Sequence, residues 1–211
     1  MIELYTWTTP NGRKVPIMLE EIGLPYNVHP VNFGRQEQFD PDYVRISPYS
    51  KIPAIIDTDA PGGPMSLFES AAILIYLADK TGKLLASGGP ERYRTLAWLS
   101  LQIGAIGPYF GQLGFFAIRS TEKSALAISR FTDEAGRVLQ VLERRLEESQ
   151  YLGGDDYTIA DIATYPWIYA ANTFQKAVLG EIIEALPALN RWMAAVGGRE
   201  AVKRGMAVPK V

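Results

Sequence analysis

Two short segments near the start of this chain constrain its fold most. The first, residues 47–55, places Ile52-Pro53 directly before an apolar run typical of a buried strand. The second, Phe68-Glu69-Ser70, places a carboxylate and a hydroxyl at the start of a helical pattern. Proline lacks the N–H that a sheet interior requires, so it is tolerated at the first residue of a strand. The segments therefore predict a strand that begins at a proline and a helix that begins at two polar side chains.

Strand and helix patterns alternate over residues 1–80. Strands are predicted at 2–7, 26–31, 54–57 and 65–68. Helices are predicted from an apolar stripe that ends at Gly23, from Asp40-Pro41-Asp42, and from residues 69–79. Pro16 lies within the first of these helices, so we expect a late start or a slight kink there. The order βαβ, then α, then ββα predicts an α/β layer with a mixed sheet.

Only helical patterns follow from about residue 90. Apolar side chains at 127, 131, 135, 138, 142 and 146 recur in steps of three and four, which indicates a long amphipathic helix. Thr158 and Asp161 have the spacing of a capping box at the start of another helix. We therefore predict a first domain at 1–80, a linker at 81–89 and an all-helical domain at 90–211.

Composition excludes several kinds of site. The chain has no cysteine and one histidine, so it has no structural disulfide, no thiolate zinc site and no predicted metal. Its net charge of -2 does not indicate a nucleic-acid partner. Its longest apolar run, residues 71–78, is too short to span a membrane, and the N-terminus lacks the pattern of a secretion signal. We expect a cytoplasmic protein with no membrane partner.

The Ile52-Pro53 segment can bind an extended peptide. A cis bond there would turn the backbone N–H and carbonyl of Ile52 outward, where they would pair with a peptide as a neighbouring strand does. A trans proline that merely starts a strand is the alternative, since few X-Pro bonds are cis. The surrounding sequence pattern favours the cis form.

Glu69 and Ser70 can hold the head of an α-amino acid. A helix start favours a carboxylate, to which the Ser70 hydroxyl adds a donor. The Glu69 carboxylate can pair with an ammonium group. The alternative is a self-capping helix, in which both side chains contribute only stability.

The segment Thr8-Thr9-Pro10-Asn11-Gly12 joins the first strand to the first helix. A ligand sulfur placed there would meet a hydroxyl, a side-chain amide and a helix N-terminus, all of which favour the thiolate. Lowering a thiol pKa by about two units requires about 2.7 kcal/mol, which a helix end and one or two hydrogen bonds can supply. An ordinary strand-to-helix turn is the alternative.

Taken in order, these segments resemble the glutathione transferase family over nearly the whole chain. The resemblance is to a thioredoxin-like first domain, an all-helical second domain, and a folding box at 158–161. Ile-Ser-Pro at 46–48, Lys-Ile-Pro-Ala-Ile at 51–55, Leu-Phe-Glu-Ser at 67–70 and Gly-Pro-Tyr-Phe-Gly-Gln at 107–112 resemble the bacterial Nu class more narrowly. That class is related to the yeast nitrogen regulator that forms a prion.

The resemblance implies a homodimer that binds glutathione, and it implies a role for each matching residue. Glu69 and Ser70 would hold the γ-glutamyl head, and Ile52, followed by Pro53, would hold the cysteinyl backbone. The glycine end would meet Gln38 and Lys51. Near the sulfur would lie the catalytic candidates Thr9 and Asn11. Arg130 would serve a second glutathione, although a solvated helix charge is an equal alternative.

Three functions follow from this pattern. Nu-class members reduce disulfides and bind two glutathiones, or one glutathione disulfide, per subunit, so a disulfide reductase with possible action on hydroperoxides is expected first. A conjugating transferase is the second, with an apolar pocket among the aromatic residues Tyr109, Phe110, Phe115, Phe116, Trp167 and Phe174, although aromatic residues at such spacing are more often core. A weakly active binding or regulatory module is the third. The lack of a serine or cysteine beside the sulfur, where Thr9 stands instead, favours the reductase over conjugation.

Overall fold

The structure, a computed structural model, describes residues 1–210, which form two compact units. The first unit contains residues 1–85 and 198–210, and the second contains residues 86–197. The elements of the first unit are β1 (Ile2–Thr6), α1 (Pro10–Ile22), β2 (Tyr26–Pro30), α2 (Pro41–Ile46), β3 (Ala54–Asp57), β4 (Met65–Phe68), α3 (Ser70–Thr81) and α10 (Glu200–Met206).

The four strands form one mixed sheet in the order β2-β1-β3-β4. β1 and β2 are parallel, whereas β1 pairs antiparallel with β3 and β3 with β4. Leu4 and Ile55 face each other across the central pair and are fully buried, because their side chains lie under the helices that cover this face. The predicted βαβ, α, ββα order is confirmed, as is the thioredoxin-like fold with helices after it.

The first helix begins at Pro10, so the expected late start at Pro16 is wrong. Pro16 lies inside the helix and has no N–H for the carbonyl of Gly12, four residues earlier. The Thr6 hydroxyl at the end of β1 donates to that carbonyl at 2.8 Å, in a buried position. The sheet therefore supplies the hydrogen bond that proline removes from the helix.

Replacing Thr6 with valine, which has the same shape, tests this compensation. The buried Gly12 carbonyl would lose its donor, and we expect the free energy of unfolding to fall by about 1–3 kcal/mol. Adding Pro16→Ala restores an N–H at the position that bonds to this carbonyl, so urea denaturation of the double variant should recover much of the loss. Equal losses with and without Pro16→Ala would contradict the compensation.

The second unit is helical throughout, as predicted. Its helices are α4 (Gly89–Leu101), α5 (Gly107–Gly114), α6 (Ala125–Glu148), α7 (Ile159–Thr173), α8 (Lys176–Glu184) and α9 (Pro187–Gly197). The predicted capping box is confirmed: Asp161 accepts from the Thr158 N–H at 2.9 Å, and Thr158 caps the first turn of α7. Asp161 also accepts from the Leu152 N–H at 3.0 Å and from Trp192 Nε1 at 2.8 Å.

Residues 89–119 form one continuous helix, with wider π-helical turns at Gln102–Ile106 and Phe115–Arg119. Its length and a mean hydropathy of 1.2 over its most apolar stretch meet the criteria for a membrane span, by length and composition alone. The short apolar runs of the sequence did not predict this, because glycine, serine and glutamine interrupt them. One such helix is weak evidence for a membrane span, and 28 % of this stretch is buried.

The last helix packs with the first unit, although the sequence-based boundary places residues 90–211 together. At Gly205, α10 approaches α1 so closely that a Cβ would lie 2.5 Å from the Ile17 backbone. Arg199 donates to both carboxylate oxygens of Glu21, at 2.6 and 2.8 Å. No sequence pattern predicted this contact, because Gly205 and Arg199 are far from the first helix in the sequence. The division into domains at 1–80 and 90–211, with a linker at 81–89, stays a prediction.

Candidate functional site

Three segments of the first unit converge at the ends of β1 and β3. They are the first turn of α1, the loop 47–53 before β3, and the first turn of α3. A Cβ on Gly12 would lie 3.1 Å from Ile52 Cδ1, which places the α1 turn against the loop. Lys14 Nζ donates to Ser70 Oγ at 3.1 Å, which joins α1 to the start of α3. The turn, the proline loop and the acidic helix start that the sequence singled out are thus brought together.

The first turn of α1 is arranged to favour a negative charge. Thr9 caps it by accepting from the Gly12 N–H at 3.2 Å, so its own hydroxyl hydrogen is left to donate elsewhere. Asn11, which is half-buried, lies between Thr9 and Gly12 in the same turn. No acidic residue lies in this turn, and Arg13 and Lys14 follow it. The helix dipole and the hydroxyl act in the same direction on an anion placed there.

The loop before β3 is held by two hydrogen bonds to one carbonyl. Tyr43 OH and Ser47 Oγ each donate to the Lys51 carbonyl at 2.7 Å. In the trans Lys51–Ile52 peptide the N–H points opposite to the carbonyl, so the Ile52 N–H points away from α2. The predicted cis Ile52-Pro53 bond is confirmed, and pairing with β1 begins only at Ala54. Burial raises the pKa of Tyr43 to about 12, so it remains a donor at neutral pH.

The start of α3 carries Glu69 in a backbone conformation that non-glycine residues avoid, with φ of 69°. Such a residue costs about 1–3 kcal/mol and persists where the surroundings demand it. The exposed Glu69 side chain makes no capping bond to its own helix, and the buried Ser70 hydroxyl accepts from Lys14. Glu69 therefore does not cap its own helix through its side chain, and a binding role for Glu69 and Ser70 stays a prediction.

Lys14 was not among the predicted site residues, yet it lies beneath this helix start with 1 % of its surface exposed. Burial lowers the pKa of the Lys14 ammonium to about 7, and the Glu69 carboxylate acts in the opposite direction. A signal was present in the sequence, because Lys14 shares a helical face with the apolar Met18 and Ile22 at spacings of four. Tyr43 and Ser47 were also missed, since no local pattern shows which carbonyl a side chain will reach.

The other predicted residues make separate contacts. Gln38 lies in the short helical turn Glu37–Phe39, and its buried Oε1 has no hydrogen-bond partner within residues 1–210. The Lys51 ammonium lies 5.6 Å from the centre of the Tyr49 ring. Arg130, in α6 of the second unit, forms an ion pair with Glu134 at 3.0 Å. Their binding roles stay predictions.

Two further features of the described residues concern the Tyr5 phenol and the side chains that could bind a metal. The Tyr5 ring stacks on His29 with centroids 4.6 Å apart and packs against Tyr43, and burial raises the pKa of its phenol. Tyr5 is thus a packed side chain whose pKa shift opposes phenolate formation. No group of three or more histidine, aspartate and glutamate side chains that could hold a metal occurs among residues 1–210.

The aromatic residues of the second unit divide between core and surface. Phe110 is fully buried, whereas Phe115 and Phe174 are 45 % and 71 % exposed. Phe116 stacks on Phe131, 5.8 Å between centroids, and Tyr109 tilts against the same ring at 6.5 Å. Phe110 is therefore core, and an apolar pocket among the other aromatic residues stays a prediction.

Comparison with known proteins gives matches over both units. Residues 8–80 match the family model of the glutathione S-transferase N-terminal domain, and residues 106–200 match that of the C-terminal domain. The disulfide-bond oxidoreductase YfcG of Escherichia coli is 44 % identical over 208 residues, which is 98 % of this chain and 94 % of that protein.

Two solved structures are similar over almost the whole chain. A glutathione transferase family member from Pseudomonas fluorescens, with two glutathiones bound, has a TM-score of 0.94 and 48 % identity, covering 99 % of this chain and 93 % of that one. A glutathione transferase from Pseudomonas putida, with one glutathione disulfide bound per subunit, has a TM-score of 0.94 and 41 % identity. The match covers 99 % of this chain and 91 % of that one.

Proposed function

Because this chain belongs to the glutathione S-transferase family, we propose that it is a glutathione-dependent thiol–disulfide oxidoreductase of the bacterial Nu class. One observation carries the proposal: a chain without cysteine presents a capped, acid-free helix start beside a loop and a second helix start suited to a small peptide. The oxidoreductase name of the Escherichia coli relative and the ligands of the two Pseudomonas structures support it. The reacting thiol is then that of glutathione itself.

Glutathione would be held at both of its ends and along its backbone. The Glu69 carboxylate pairs with the γ-glutamyl ammonium, and the Ser70 hydroxyl donates to the adjacent carboxylate. Ile52, ahead of Pro53, pairs with the cysteinyl backbone as a strand neighbour does. Gln38 and Lys51 meet the glycine carboxylate.

The sulfur would lie at the first turn of α1, where Thr9 and Asn11 act. The Thr9 hydroxyl and the Asn11 amide donate to sulfur, and the helix dipole favours its negative charge. Stabilising the thiolate by about 2.7 kcal/mol lowers its pKa by about two units and makes most of the bound thiol reactive at neutral pH.

The reaction is two successive exchanges. The bound thiolate attacks one sulfur of a small-molecule disulfide, a glutathionyl mixed disulfide forms, and the other sulfur leaves as a thiolate that takes up a proton. A second glutathione thiolate then attacks the mixed disulfide at the glutathionyl sulfur and releases the second product thiol. In total, two glutathiones are oxidised to glutathione disulfide and one disulfide is reduced to two thiols. Arg130 is proposed to serve the second glutathione, in competition with its pairing to Glu134.

A direct assay tests the proposal against the other two functions. The full-length protein is given glutathione with hydroxyethyl disulfide, and separately with a chlorinated aromatic. Reductase turnover with weak conjugation supports the proposal. The reverse result supports a conjugating transferase, and turnover of neither substrate supports a binding or regulatory module.

Replacing Asn11 with alanine tests the sulfur site. A hydrogen bond to a charged group contributes about 1.5–3 kcal/mol, so we expect the disulfide reductase rate to fall by about tenfold or more. The fold should change little, because Asn11 is only half-buried. Asn27→Ala, on the exposed side of β2 where Asn27 bonds to Glu3, is the matched control and should keep the rate. An unaltered rate in Asn11→Ala would show that Asn11 has no part in the reaction.

Assembly and location complete the proposal. We expect a homodimer in the cytoplasm, with no nucleic-acid or membrane partner. Light scattering of the purified protein gives the dimer mass, and cell fractionation shows whether the protein stays with the soluble fraction despite the apolar helix at 89–119.

A further inference from the structure

Lys14 is a buried cation that the proposed reaction does not use. It lies in α1 with 1 % of its surface exposed, and lysine is almost never this buried unless it is paired. Its ammonium donates to Ser70 Oγ, across 56 residues of sequence. A buried charge that reaches the first residue of α3 requires an explanation beyond the stability of either helix.

We propose that Lys14 is a positioning residue for the acidic head of glutathione, acting by directing the Ser70 hydroxyl hydrogen toward the ligand carboxylate. The inference rests on the proposed function, which places that carboxylate at the start of α3. A hydroxyl has one hydrogen and two lone pairs. Since Lys14 Nζ donates to one lone pair of Ser70 Oγ, the hydroxyl hydrogen must point elsewhere, and the ligand is the acceptor it meets.

The protonation state of Lys14 then decides what Ser70 can do. An ammonium group has three donors and no acceptor, so Ser70 cannot turn its hydrogen inward. A neutral amine has a lone pair that can accept from Ser70, and the hydroxyl would then turn away from the ligand. A bound carboxylate beside Ser70 favours the ammonium form, so binding should draw a proton onto Lys14. The lowered pKa of Lys14, about 7, puts this uptake within the physiological range.

Glu69 is the charged group that acts on Lys14 from α3, and it favours the ammonium form. Charged side chains on the other elements packed against α1 are engaged with their own partners. These pairs are Glu3 with His29 on β1 and β2, Arg199 with Glu21, Arg204 with Glu20, and Lys203 with Glu200. Binding therefore brings two new charges, the ligand ammonium at Glu69 and the ligand carboxylate at Ser70, and the carboxylate lies at the side chain to which Lys14 bonds directly.

Calorimetry with S-methylglutathione tests the inference, because this probe has no thiol to titrate. Heats are measured at about pH 7.5 in two buffers of different ionisation enthalpy, which gives the number of protons taken up per bound ligand. The ligand's own amino group contributes equally to every variant. We expect wild-type protein to take up about half a proton more per bound ligand than Lys14→Met does. We also expect Lys14→Met to bind the probe at least tenfold more weakly than wild type. Lys203→Met, an exposed lysine on α10, is the matched control and should equal wild type in both.

Lys14→Arg is the second variant, since guanidinium does not titrate in this range. It should also lose the extra proton uptake, and it replaces Lys14→Met in the comparison if that variant does not fold. Equal proton uptake in wild type and the Lys14 variants, or equal affinity in wild type and Lys14→Met, overturns the role of Lys14 while leaving the proposed function intact. Absence of any binding by wild-type protein overturns both.

Discussion

Replacing Asp161 with alanine should lower the free energy of unfolding by about 4 kcal/mol. The Asp161 carboxylate is fully buried and accepts from the Leu152 and Thr158 N–H groups and from Trp192 Nε1. Alanine would leave two buried donors, the Leu152 N–H and Trp192 Nε1, and the half-buried Thr158 N–H without an acceptor, and each costs about 1–3 kcal/mol, reduced by relaxation and by entry of water. Urea denaturation followed by circular dichroism measures the loss.

Asp161→Asn should lose most of the same stability, because its amide has one acceptor oxygen and its NH₂ group opposes a donor. Asp156→Asn is the matched control: this exposed aspartate lies in the loop before α7 and should change stability by less than about 0.5 kcal/mol. Hydrogen exchange at the Leu152 and Thr158 amides should speed up in Asp161→Ala. A loss below about 1 kcal/mol would mean that these bonds do not hold the second unit together.

The second large effect is expected from Gly12→Ala. A Cβ on Gly12 would collide with the Trp7 carbonyl and would lie 2.9 Å from Thr6 Oγ1, in a site bounded by backbone on one side. The start of α1 would have to move away from β1, and it would carry Thr9 and Asn11 with it. We expect a loss of about 3 kcal/mol in stability and a fall in glutathione affinity of about 100-fold.

Gly136→Ala is the control for glycine replacement within a helix. A Cβ there meets only Ile182 Cδ1 at 3.8 Å, an ordinary contact, so alanine should stabilise α6 by about 0.5–1 kcal/mol. Chemical denaturation and calorimetry with glutathione on both variants separate the two cases. If Gly12→Ala binds glutathione as wild type does, the close approach of α1 to β1 has no part in forming the site.

Local patterns predicted the fold well because they describe elements that bury one face. β3 and β4 have the predicted bounds, and the other strands differ by one residue at their ends. The capping box at Thr158 and Asp161 was predicted from spacing alone, since its two bonds join neighbours in sequence. The expected late start at Pro16 was wrong because Thr6 compensates Pro16 from a different element, and the alternative of a slight kink stays a prediction.

The sequence predicted those site residues that local patterns mark, and it missed those that depend on packing between elements. Glu69, Ser70 and Ile52-Pro53 stand at the ends of elements, where sequence patterns are strong. Lys14, which joins α1 to Ser70 across 56 residues, was missed because the contact depends on how two helices pack. The two donors to the Lys51 carbonyl, Tyr43 and Ser47, were missed because a backbone acceptor has no sequence signature.

The position of α10 has a consequence for how the protein is made. Ile17 on α1 is fully buried and lies against Gly205, near the opposite end of the chain. During translation the first unit cannot be completed until residues 200–206 have left the ribosome, and the apolar face of α1 that they cover stays open until then. A nascent chain halted midway would expose that face, so chaperones that bind unfinished apolar surfaces should retain it until synthesis ends.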